Sequence, residues 1–349
     1  MATIRARTAG RWALWGLAAL VLIVAGFVAS LIYPGTPGAS RSLKFEGYVP
    51  LPREGALNIL DYLTMSGRDL FVTSVSSGSV YKVSLAEAPA AAEVARLAGP
   101  PATHGVVVDP ASGLAYVTRS EANTVDIFDP ATMRLVRRIP VADDPDGIFY
   151  DPANRLIYAA SGDSKLATLI DPATQAKVAT IPLGGDPEFA AFDGVTKLLY
   201  QNLKDANSVA AVDLAKRSVT QRWPLDGCDD PSGMAIDTPE RRLFVVCSGN
   251  AKLVIFSLDA HHVVGSLPIG GGPDSVGFDP ALHRIYTTGR SGVLSVIQQD
   301  SPDSYRRLDQ IRLHYGAHTL VVDPVTHRVY VGYASLLVPA RLAVFAPVN

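Results

Sequence analysis

Four carboxylates, two imidazoles and one hydroxyl recur along this 349-residue chain at nearly constant intervals. They are Asp61, His104, Asp146, Glu188, Ser232, Asp274 and His318, separated by 43, 42, 42, 44, 42 and 44 residues. If each opens one copy of a repeated unit and the units form a ring, all seven line one funnel. Oxygen and nitrogen donors converging on a low-dielectric opening would bind a divalent cation or a cationic ligand. Around a closed ring His318, Asp61 and His104 are consecutive, which makes them the expected metal ligands. A plainer reading stays open, because Pro145, Pro187, Pro231 and Pro273 precede four of the seven and a small polar residue there also suits a tight turn. Imidazole has no such turn-forming virtue, so His104 and His318 carry the chemical expectation.

The elements that must position these groups repeat with the same period. An aromatic residue closes a short strand-like run at Phe71, Tyr116, Tyr158, Tyr200, Phe244, Tyr286 and Tyr330. Aligned on it, stretches such as VVVDPASGLAYVT (106–118) and VGFDPALHRIYTT share an apolar run, an Asp, a short turn and a second apolar run. Each reads as a hairpin. The Asp at 109, 151, 193, 237, 279 and 323 can accept a hydrogen bond from the backbone two residues on. A second alternating strand and an outer strand ending at Pro140, Pro182, Pro224 or Pro268 complete the unit, proline being tolerated on an edge strand. Four strands in about 40 residues without an amphipathic helix specify a β-propeller blade.

The expected fold is therefore all-β, a seven-bladed propeller of four-stranded antiparallel blades over residues 44–349. The last repeat has only three strands, around Leu320, Tyr330 and Ala343 to Phe345. The apolar run Lys44 to Leu51 fits the missing outer slot, so an N-terminal strand is expected to close the ring and hide both sheet edges.

Before the propeller come a basic tail (1–11), an uncharged segment (12–33) and a Pro/Gly-rich linker (34–43). The segment from Trp12 to Tyr33 is long enough to span a bilayer and follows Arg5, Arg7 and Arg11. It reads as an uncleaved transmembrane signal anchor, which puts the arginines in the cytoplasm and the propeller on the periplasmic or extracellular side of the cell membrane. The formal charge of the whole chain is −2. With no basic stripe for a phosphate backbone, nucleic acid is not an expected partner.

Export bears on the two cysteines, Cys228 and Cys247. Both fall on the same face of the expected fifth blade, and a disulfide is the leading reading, ahead of a reactive thiol. His261 and His262 fall in an outer turn on the opposite face, and Gly270 to Gly272 form a turn rather than a phosphate loop, since no helix follows. No nucleophile elbow, zinc-protease helix or P-loop is present in the sequence.

The hairpin pattern, with Tyr116-Val117-Thr118 and Asp-Pro-Ala-Thr at Asp129 and Asp171, resembles the YVTN-repeat β-propellers, the YncE-like exported bacterial proteins. The resemblance covers residues 44 to 349 and implies an exported seven-bladed propeller. It names no reaction, since related propellers include binding modules and lactone-opening or lyase enzymes. The expected function is a membrane-anchored binding module whose channel mouth and surrounding loops hold a small molecule, a cation or an envelope protein. The alternative is a metal-dependent lactonase or lyase with a divalent ion at the mouth. A third reading is a scaffold in which charged loop residues such as Arg119, Lys165 and Lys204 meet a partner.

Overall fold

The computed structural model describes residues 15, 17–26, 28–29, 35–85, 89 and 92–348. Residues 43–347 form seven four-stranded antiparallel sheets arranged as successive blades. Blade one runs from Leu60 to Leu97, blade two from Thr103 to Pro140 and blade three from Pro145 to Pro182. Blades four, five and six span Pro187–Pro224, Pro231–Pro268 and Pro273–Arg312. Blade seven takes three strands from Thr319–Val322, Val329–Tyr333 and Arg341–Pro347, and its outer strand is Leu43–Pro50, paired antiparallel to Arg341–Pro347. The N-terminal strand thus closes the ring as the unequal chain ends foretold.

Alternation is weak in the middle strands because each is covered on both faces. Ala115–Arg119 and Leu199–Leu203 are buried at every position, whereas the outer strand His262–Pro268 alternates between exposed and half-buried. The core is correspondingly divided. Among the described residues, seven apolar clusters form, each bridging two adjacent blades, as Phe71, Val80 and Leu97 of blade one do with Val106, Val117 and Phe128 of blade two. The repeating aromatics Phe71, Tyr116, Tyr158, Tyr200, Phe244, Tyr286 and Tyr330 are all buried in these slabs. Each blade hides its apolar face against the next, which makes a lone blade unstable and a closed ring stable.

The turn aspartates behave as their position predicts. Asp109, Asp151, Asp193, Asp279 and Asp323 accept a hydrogen bond from the amide two residues on, at 2.8–3.2 Å. Asp237 takes the amide of Glu240 instead, at 3.2 Å.

Residues 17–26 are helical. Residues 15, 28 and 29 are helical as well. No helix among the described residues is long and apolar enough to cross a membrane, and the span expected over 12–33 lies partly outside those residues. Its ends, Trp12 and Tyr33, lie outside the described residues.

Candidate functional site

Six of the seven innermost strands open with the same irregularity. The pairing of first and second strands skips between Leu60 and Leu63, Thr103 and Val106, Pro145 and Ile148, Pro187 and Ala190, Pro231 and Met234, and Pro273 and Ser275. The skipped positions contain Asp61, His104, Asp146, Glu188, Ser232 and Asp274, and the seventh residue, His318, stands one place before its strand. A bulge frees its residue from the ladder and re-aims the side chain. Here it turns all of them into the channel, and the seven line one cavity of about 560 Å³.

The backbone around the bulges is tied to the neighbouring blade. Thr118 donates its hydroxyl to the Asp146 carbonyl (2.6 Å), the Asn202 amide to the Ser232 carbonyl (2.8 Å) and the Thr288 hydroxyl to the His318 carbonyl (3.0 Å). Within blade four the Gln201 amide reaches the Glu188 carbonyl at 2.8 Å. At the residue after the bulge, Gly233 allows close blade contact, since a Cβ there would meet the Asp274 carbonyl oxygen at 2.6 Å. Ring position is therefore set by polar contacts from second strands as well as by the apolar slabs.

Where two blades carry an aromatic residue at that next position, they meet across the channel. Tyr62 and Phe189 stack with ring centroids 4.7 Å apart and planes 12° from parallel. Both rings line the cavity and give the polar funnel an aromatic surface. Burial raises the Tyr62 hydroxyl well above its ordinary pKa, and the surrounding carboxylates add to the effect.

His104 is the most constrained group of the ring. Its Nδ1 lies 2.7 Å from Asp61 Oδ2 and 3.3 Å from Asp146 Oδ1, and its Nε2 lies 3.0 Å from the Ser120 hydroxyl. Burial pulls the imidazole pKa down, but the Asp61 hydrogen bond and the charges of Asp146, Asp61 and Asp144 outweigh it and leave the pKa at about 9. Burial conversely lifts the Asp146 carboxyl, against the opposing pull of His104. Asp146 Oδ1 is shielded from solvent and accepts no hydrogen bond.

The rest of the mouth is arranged in local pairs. Lys204 Nζ sits 2.8 Å from Glu188 Oε1, and burial raises the Glu188 carboxyl despite that contact. His318 donates Nδ1–H to the Gly316 carbonyl at 3.0 Å, with its Nε2 3.9 Å from Asp274 Oδ2. Asp274 is likewise raised by burial, with the opposing charges of His318, Arg290 and Lys204 acting to lower it. Asp230, Ser248 and Arg290 complete the polar wall. The trio expected to share a metal is thus split. Among the described residues, the groups whose ligand atoms lie within 4.8 Å of one another are Asp61, His104 and Asp146, while His318 belongs with Asp274.

The cysteines form the expected disulfide, with Cα atoms 5.3 Å apart. It ties the loop leading into blade five to the end of that blade's second strand, beside Asp230 and Ser248 of the cavity wall.

Several groups escaped the sequence. Tyr62, Phe189 and Ser120 left no motif, although the first two sit one place after ring positions. Lys204 was expected as a loop charge and instead reaches into the mouth. Arg119, also expected on a loop, is fully buried, because it ends a second strand and turns inward to Asp126. Lys165 is exposed as expected and pairs with Asp205. His261 lies in an exposed outer turn as expected, and its ring stacks on Trp223 of the preceding blade, centroids 4.4 Å apart.

Fold and mouth together define a seven-bladed propeller with a polar, aromatic-lined channel opening. Solved structures match its fold over most of the chain. Hydrazine synthase of Kuenenia stuttgartiensis aligns with a TM-score of 0.70 at 18% identity, over 81% of this chain and 95% of that one. Virginiamycin B lyase from Staphylococcus aureus aligns at 0.69 and 12% identity, over 86% and 99%. A catalytically inactive histidine-to-alanine form of that lyase, solved with quinupristin, gives 0.70 at 12% over 88% and 100%. At such identities the likeness is one of fold. No family model matches the chain, and no curated protein matches its sequence.

Proposed function

We propose that this protein is an exported binding module that takes a small polar ligand with a cationic group into its channel mouth. The observation that carries this reading is the bulge at the head of six inner strands, which sends side chains from separate blades into one cavity while the ladders beyond stay regular. A volume of about 560 Å³ suits a small organic molecule. Five carboxylates (Asp61, Asp146, Glu188, Asp230 and Asp274) line it against the cations Lys204 and Arg290 and the imidazoles His104 and His318, and the Tyr62–Phe189 pair offers a face for an ammonium. The disulfide accords with an oxidising compartment, and the hairpin motif with the YVTN-repeat exported propellers.

Thermal-shift measurements with n-butylamine, choline, lysine and their neutral isosteres test it. At least one cationic probe should raise the melting temperature of the wild type and leave Tyr62→Ala and Asp274→Asn unmoved. Equal response to charged and neutral probes, or none to either, would remove the proposal.

A second reading, a hydrolase or lyase for a lactone-like substrate, draws support from His104. With a pKa of about 9 this imidazole carries a proton at neutral pH, as a proton donor to a leaving oxygen requires. Turnover of a lactone panel that persists undiminished in His104→Gln would exclude that role.

A further inference from the structure

We propose that Asp61, His104 and Asp146 form a divalent-cation site on the channel wall, one that takes a first-row ion such as Mn²⁺ or Zn²⁺ through one imidazole nitrogen and two carboxylate oxygens. The site deepens the binding reading above and rests on it. It departs from the set expected from the repeat alone, which joined Asp61 and His104 to His318.

The first support is the spacing of the donor atoms. Metal bonds of about 2.1 Å place neighbouring ligand atoms about 3 Å apart in an octahedron and about 3.4 Å apart in a tetrahedron. His104 Nδ1 stands 2.7 Å from Asp61 Oδ2 and 3.3 Å from Asp146 Oδ1, and the three donor atoms lie within 4.8 Å of one another. An ion can be seated by these groups with shifts of well under a bond length. They arise on three consecutive blades, so the site depends on ring geometry rather than on one flexible loop.

The second support comes from the far side of the imidazole. A ligating histidine is commonly fixed by a hydrogen bond from its other ring nitrogen. His104 Nε2 has that contact, 3.0 Å from the Ser120 hydroxyl, and Ser120 is itself nearly buried. An entering ion would displace the proton that Nδ1 shares with Asp61, and with Nε2–H donated to Ser120 the freed Nδ1 lone pair would then face the metal beside both carboxylates.

The third is Asp146 Oδ1, shielded from solvent and without a hydrogen bond, though 3.3 Å from His104 Nδ1. A shielded carboxylate oxygen lacking a donor is costly in a neutral setting and favourable beside a cation. Two carboxylates and an imidazole suit Mn²⁺, Fe²⁺ or Zn²⁺ better than a thiolate-seeking ion. The cavity side of the cluster leaves positions for water or a ligand oxygen. His318 is unsuited to the set, since its Nδ1–H is committed to Gly316 and its Nε2 faces Asp274.

The test uses the full-length chain in detergent, freed of metal with chelator and titrated with MnCl2 under electron paramagnetic resonance and with ZnCl2 by calorimetry. One equivalent should bind, with affinity reduced at least about tenfold in Asp146→Asn and in His104→Gln. Ser120→Ala, which keeps every ligand, should give a smaller loss, and His318→Gln should bind as wild type. Melting temperatures identify folded variants, and the mild Ser120→Ala change keeps the proposal open to refutation if the ligand variants do not fold. Absence of stoichiometric binding by either ion to wild type, or wild-type affinity in folded His104→Gln and Ser120→Ala, overturns the site. If an ammonium probe still stabilises metal-free protein that binds neither ion, the cation site falls and the binding reading stands.

Discussion

Thr103 faces Arg119 across the two innermost strands of blade two, at the place where the next four blades set a proline against Ser161, Leu203, Cys247 and Gly289. Proline fixes its own φ and so helps direct the loop into the strand. Threonine cannot, and a buried guanidinium takes over that part. Arg119 donates from Nη1 to the Gly78 carbonyl at 2.5 Å and to the Thr103 hydroxyl, while its Nε lies 3.3 Å from Asp126 Oδ2. The residues on either side of this clamp are the ones that matter at the mouth, since His104 follows Thr103 and Ser120 follows Arg119.

Replacing Arg119 by Met should therefore be severe. It strips donors from the Gly78 carbonyl and Thr103 and removes one of the two cations on buried Asp126, leaving Arg138. Breaking a buried pair of this kind costs about 3 kcal/mol, readable from urea unfolding. Lysine keeps the charge but not the fork and should recover only part of it. A loss below about 1 kcal/mol, the range of an exposed pair, would mean that the clamp is dispensable.

Stability should fall as pH rises across the mildly alkaline range. The folded His104 pKa of about 9 lies above its ordinary 6.5, so its proton contributes stability that is complete below the lower value and lost as pH climbs through the higher. Asp146, Glu188 and Asp274 are also raised, first of all by burial, and act with the same sign, Asp146 at about 8 within the same range. Asp205, held low chiefly by its hydrogen bond from Lys165, acts oppositely, losing its contribution as pH falls through its lowered pKa. Denaturant midpoints measured from pH 6.5 to 9 should decline in wild type and flatten in the double variant His104→Gln, Asp146→Asn, the His104 share being at most about 3 kcal/mol. Parallel curves for the two proteins would contradict the assignment.

Reduction should loosen the mouth on the blade-five side. The Cys228–Cys247 bridge closes a sequence separation of 19 residues, worth about 3 kcal/mol in a chain-entropy account. A Cys228→Ser, Cys247→Ser variant should melt at lower temperature than oxidised wild type and match wild type in reductant. If reductant lowers the melting temperature of the double variant as well, the effect does not come from this bond.

Deleting residues 43–50 should do more than shorten the chain. The strand Arg341–Pro347 would lose its outer partner, and Val49 would leave the cluster it shares with Leu60, Tyr81 and Tyr330. An exposed edge invites pairing between molecules. Light scattering and dye binding should report aggregation, with unfolding no longer cooperative; a monomeric deletion variant melting like wild type would show that closure is not what stabilises the ring.

The architecture was readable because one period governs it. The recurring Asp, aromatic and proline positions mark the same places in each blade, and even the split blade followed from a missing strand at one end and a spare one at the other. Ring membership of the seven mouth residues was readable on the same grounds. Which of them touch was not, because contact depends on side-chain reach and on groups outside the repeat. Asp146, rather than His318, meets His104 through the twist between adjacent blades, while Gly316 holds the second imidazole aside. Arg119 misled for a similar reason, since a charge after a strand looks like a loop residue unless its buried partner Asp126 is known.

The bulges separate two duties that most sheets combine. Regular ladders beyond them carry the pairing within each blade, and the skipped residues, tied to the neighbouring blade through their backbone, keep their side chains outside that pairing. Each blade thus offers one interchangeable position, and altering what the mouth recognises amounts to rewriting up to seven addresses while the walls stay standing. A library randomised at 61, 146, 188, 232 and 274 is therefore a natural route to propellers with new ligand preferences.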